Sequence, residues 1–95
     1  MPYITEEQRA KLDPHIGELS RAILSEATEQ EALAGLLNYA CTRLALEVAD
    51  GVGGGMRYWK IAMLTGVFEN IKQEFYRRVA APYEDRKAGE HGDVY

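Results

Sequence analysis

From residue 59 to residue 79 the chain carries Ile61, Leu64, Phe68, Ile71, Phe75 and Val79 at steps of three and four, with Pro82 just beyond. That spacing sets six apolar side chains along one side of a helix, the pattern of a packing seam. A helix of about 22 residues is ~33 Å long, so the chain must arrange itself around one long rod whose apolar side needs cover. Upstream, Leu33, Leu36, Leu37, Ala40, Leu44 and Val48 recur at helical spacing too. Between the two stretches lies Gly51-Val52-Gly53-Gly54-Gly55, where each glycine costs a helix up to ~1 kcal/mol. Two helices of similar length joined by such a break predict an antiparallel hairpin.

The N-terminal third shows three helix-start signals. Thr5 with Gln8 fits a capping box, Asp13-Pro14 places a cap before a first-turn proline, and Thr28 with Glu31 fits a second capping box. Ile16, Leu19 and Ile23 share a face after the second signal. The expected fold is all-α: a long antiparallel helical hairpin covered by two shorter N-terminal helices, forming one small bundle over residues 1–82. Residues 83–95 read as a polar tail, expected to dock on the domain or on a partner subunit.

Composition limits the function classes. At 95 residues and 46% hydrophobic content the chain reads as one globular domain with a thin stability margin. The net charge of -4 argues against general nucleic-acid binding. The charge is uneven: residues 1–55 hold four Lys/Arg and nine Asp/Glu, residues 56–95 seven and six. Surfaces of opposite sign favour self-association or a small anion. Cys41 is the lone cysteine, which fits a reducing, cytoplasmic setting. No apolar run is long enough to span a membrane, and the first residues lack the regions of a signal peptide.

Specific catalytic patterns are absent. The glycine run follows a helix and lacks the last glycine of a dinucleotide fingerprint, so it reads as a turn. His15 and His91 have no metal-ligand spacing, and Cys41 lies on or beside an apolar helix face, as a small core residue would. Two constellations remain. Glu26-x-x-Glu29 followed by Glu47-x-x-Asp50 is similar to the paired acidic motif of the all-α nucleotide pyrophosphohydrolases, which hold magnesium between helices; however, Glu26 and Glu29 straddle the break expected at Thr28. Arg43, Lys72, Tyr76, Arg77 and Tyr83, with Arg57, Tyr58, Trp59, Lys60 and Arg78 nearby in sequence, combine guanidinium forks with stacking faces. Such groups suit a phosphate-and-base ligand. They equally suit a subunit interface, where Tyr, Trp and Arg are the usual anchors.

Met1-Pro2-Tyr3-Ile4, Leu37-Asn38-Tyr39-Ala40-x-Thr42-Arg43-Leu44, Gly66-Val67-Phe68-Glu69-x-x-Lys72-x-Glu74-Phe75-Tyr76-Arg77-Arg78, Pro82-Tyr83-Glu84-Asp85 and Gly92-Asp93-Val94 together resemble a small family of unknown function found in tailed phages and in bacterial and archaeal genomes. The resemblance covers nearly the whole chain. It implies an intracellular, often phage-borne setting and no activity.

The expectation from these observations is binding rather than catalysis. The chain would be a homo-oligomer that sequesters a small anionic, nucleotide-like ligand through Arg43, Lys72, Tyr76, Arg77 and Tyr83, with no cofactor. The enzyme alternative is magnesium-dependent nucleotide pyrophosphate hydrolysis through Glu26, Glu29, Glu47 and Asp50. The third reading is an oligomeric, partner-binding scaffold without a ligand.

Overall fold

The structure, a computed structural model, describes residues 3–95; the Met1-Pro2 part of the first shared segment lies outside them. The described residues form helices without strands: α1 (Glu6–Glu26), α2 (Ala32–Val52), α3 (Tyr58–Phe75), a π-helical turn (Tyr76–Ala80) and α4 (Ala81–His91). The last three run on as one helix of 34 residues, about 51 Å long. The all-α expectation is met.

The chain divides into two compact units, Met1–Glu47 and Val48–Tyr95. The first contains α1 and most of α2. The second contains the end of α2, the glycine loop and the long C-terminal helix.

In the first unit, α1 begins with the capping box expected at Thr5. The Gln8 backbone N–H donates to Thr5 Oγ1 at 3.1 Å, and the Thr5 N–H donates to Gln8 Oε1 at 3.0 Å. Two orphan donors of the first turn are thereby satisfied reciprocally. The second start expected at Asp13-Pro14 is not a break: α1 continues through Pro14 to Glu26. A strong cap nine residues upstream and the good helix formers of residues 6–12 carry the helix past a proline that costs it about 3 kcal/mol. The start expected at Thr28 moves to Ala32, whose N–H bonds the Glu29 carbonyl at 3.1 Å while Leu33 N–H bonds Gln30 at 3.1 Å. The chain turns at residues 28–31 on backbone bonds rather than on the Thr28 side chain.

In the second unit, the C-terminal helix extends well past its expected end. Residues 83–91, at the start of the polar stretch expected beyond Pro82, are helical. The π turn explains how Pro82 is passed. A proline inside an α-helix has no N–H to give and its ring meets the carbonyl four residues back, here Arg78. The Ala81 N–H instead reaches the Tyr76 carbonyl, five residues back, so the turn ahead of Pro82 is wider and holds one residue more than an α turn. Pro82 then occupies the first turn of α4, where a missing N–H costs little.

Within the second unit itself the apolar seam finds no cover. Among the described residues only Ala49 is a buried hydrophobic, and Ile61, Phe68, Ile71, Phe75 and Val79 are exposed.

Candidate functional site

Four of the five expected ligand residues lie on the C-terminal helix of the second unit. Lys72 and Tyr76 stand four residues apart on either side of the start of the π turn. Both are exposed, as is Arg77. Lys72 Nζ is 3.3 Å from Glu69 Oε1. Gln73 Nε2 donates to the same oxygen at 3.2 Å. That hydrogen bond first, and the Lys72 ammonium second, hold the Glu69 carboxyl below its usual value. Tyr83 sits seven residues beyond Tyr76, with Arg86 and Lys87 near its ring at 5.8 and 5.6 Å from the centroid. Lys72 and Tyr83 therefore already have partners on their own helix.

Arg43 belongs to the first unit. Its Nη2 donates to Glu47 Oε1 at 2.6 Å across one turn of α2. This hydrogen bond, reinforced by the Glu47 charge, raises the guanidinium above its ordinary value. The same contact bears on the acidic set. Glu47, one of the four carboxylates similar to a magnesium motif, is engaged by Arg43. Glu26 ends α1, Glu29 lies in the turn before α2, and Asp50 sits in the last turn of α2 with its carbonyl bonded to the Gly53 N–H at 3.0 Å. Among the described residues no group of three or more His, Cys, Asp or Glu side chains is gathered to hold a metal ion.

The most constrained polar group is one that sequence reasoning placed among the surface cations. Lys60 is 1% exposed. Its Nζ donates to the carbonyl oxygens of Ala49 at 2.9 Å, Gly53 at 2.6 Å and Gly55 at 2.7 Å. An ammonium has three donors and no acceptor, so all three are used. Ala49 O is one of the last four carbonyls of α2, which have no partner within their own helix. The cation also lies at the negative end of that helix. Gly53, Gly54 and Gly55 adopt φ of 87°, 81° and 73°, a region L side chains rarely enter. Three consecutive residues in that region curl the backbone so that two of its carbonyls converge on one point. The third, Gly54 O, accepts from Arg57 Nε at 3.0 Å. The run expected to be a flexible turn is a backbone cradle closed around a lysine. A lysine five residues after a triple glycine was the available signal.

No helix among the described residues is long and apolar enough to cross a membrane. Across residues 1–94 the sequence matches the model of a family described as Domain of unknown function, DUF6899. The chain belongs to that family. No curated protein and no solved structure matches it. The family match takes in the cradle, the π turn and the C-terminal helix alike.

Proposed function

We propose that this chain is a subunit of a homo-oligomeric helical assembly that acts as a scaffold for partner binding. The observation that carries the reading is the exposure of the α3 seam: Ile71 is 52% and Phe75 62% exposed, while Ala49 is the one hydrophobic buried among the described residues. Apolar surface left in water forgoes roughly 25 cal/mol per Å² of stabilisation, and contiguous patches of this kind mark interaction sites. Exposed Tyr76, at the edge of the seam, and exposed Tyr83, beyond its last aliphatic position, fit the role of interface anchors. The intracellular, phage-borne setting proposed with it rests on the sequence segments alone. Light scattering on the purified chain tests the reading: a multimer is expected, and a monomer across the micromolar range would end it.

A second reading is favoured by the π turn, since such turns recur at functional sites. Tyr76, Arg77 and Arg78 are consecutive and exposed there. With Lys72 and Tyr83 on the same helix they would take a small anionic, nucleotide-like ligand. Calorimetry with cyclic and linear nucleotides tests it, and silence across the panel from folded protein rejects it. The prior pairing of Lys72 with Glu69 ranks this reading second.

A further inference from the structure

From Ile61 to Phe75 the apolar positions step by three, four, three and four, but Phe75 to Val79 and Val79 to Tyr83 are both steps of four. In an unbroken α-helix this breaks the seam. At about 100° per residue, Tyr83 would lie some 80° round from Phe75, and Arg78 would fall on the stripe instead of Val79. The π turn at Tyr76–Ala80 absorbs one residue between Phe75 and Val79. Counted with that residue absorbed, the steps from Ile61 to Tyr83 are three, four, three, four, three and four. This is an uninterrupted seam.

We infer that the π turn re-phases the C-terminal helix so that Ile61, Leu64, Phe68, Ile71, Phe75, Val79 and Tyr83 form one continuous docking stripe for a second copy of this chain, with Arg78 turned off it. This rests on the homo-oligomer reading and gives that reading its interface. The area matches. A buried aromatic covers about 150–250 Å²; Phe68, Phe75 and Tyr83 are 40%, 62% and 52% exposed and so offer about 300 Å² between them. Ile61, Ile71 and Val79, each about half exposed, add nearly as much. Two such stripes face to face bury about 1,100 Å², and Lys72 and Tyr76 at the edge bring the total into the ~1,200–2,000 Å² range of specific interfaces. A second copy supplies the same repeat over the same length, so knobs of one helix meet holes of the other along the whole stripe. Beyond Tyr83 the next stripe positions, Arg86 and Glu90, are charged, and Glu90 pairs with Lys87 at 3.3 Å on its own helix, so the stripe ends there.

The test is the association constant of four full-length variants by analytical ultracentrifugation, with helix content checked by circular dichroism. Ile71→Glu, on the stripe under any phase, should weaken association at least tenfold. Tyr83→Glu should do the same, Tyr83→Phe should leave association intact, and Arg78→Glu should change it less than twofold. Loss with Arg78→Glu and none with Tyr83→Glu would overturn the re-phased stripe while the oligomer stands. A monomeric wild type would overturn both. No effect of Ile71→Glu on a multimeric wild type would place the interface elsewhere and overturn the stripe alone.

Discussion

Lys60 Nζ lies 2.9 Å from the carbonyl oxygen of Ala49, so the side chain of one helix closes the end of the helix before it. The pair joins the two residues of lowest exposure among those described, and the glycine loop exists in its observed form because of it. Lys60→Met keeps the stem and removes the three donors. Each buried acceptor left without a partner costs about 1–3 kcal/mol, partly offset by water entering, so the expected loss is about 2–4 kcal/mol in thermal or chemical unfolding. Lys60→Arg should not restore it, since a planar fork cannot aim at three converging carbonyls. An unchanged melting temperature in Lys60→Met would mean that the carbonyls hydrate freely.

Gly54→Ala tests the loop from the backbone side. Nothing lies within 4 Å of the added Cβ, but φ is +81°, so the expected cost of about 1–2 kcal/mol is conformational rather than steric. Gly66→Ala is the control with the opposite sign. It has the same open space within an ordinary helix and should stabilise the protein by about 0.5–1 kcal/mol. Equal shifts in the two variants would contradict the φ argument.

Pro14→Ala should raise the unfolding free energy by about 1–3 kcal/mol, because Pro14 stands inside α1 rather than at its start. Had Asp13-Pro14 begun a helix, the same change would remove a favourable first-turn residue and lower stability.

The Glu69 carboxyl should titrate below 4.5, the ordinary value for glutamate. Its folded-state value is lowered, so its small contribution to stability is present above the unfolded value and is lost as pH falls through the folded one. Gln73→Ala should move the midpoint up towards 4.5, and by more than Lys72→Ala does, because the Gln73 hydrogen bond is the larger cause. Carbon-detected NMR titration of the side-chain carboxyl reads this directly, and a wild-type midpoint at or above 4.5 would refute it.

What was legible in the sequence was local. The Thr5–Gln8 capping box and the 3.6-residue periodicity of α2 and α3 depend on residues within a turn or two of one another, and they appear where expected. In sequence Pro14 and Pro82 suggest a boundary and a stop, because proline's preferences are statistical. Their accommodation depends on the surroundings: a strong upstream cap for one, a π turn for the other. Lys60 was invisible as a buried group because nothing in its side chain reveals that three carbonyls converge on it. That convergence depends on the φ values of three glycines whose freedom reads, from sequence alone, as flexibility. For Tyr83, the spacing that seems to leave the stripe returns to it only when a residue is absorbed at Tyr76–Ala80, and no propensity scale encodes that.

Glycine runs on a protein surface are where an engineer would first cut the chain, insert a tag or move the termini. Here that instinct fails. A new pair of termini between Gly53 and Gly55 would remove the convergence that solvates a buried ammonium, leaving a charge stranded near the start of the longest described helix. Residues 28–31, held by backbone bonds alone, are the better place to open this chain.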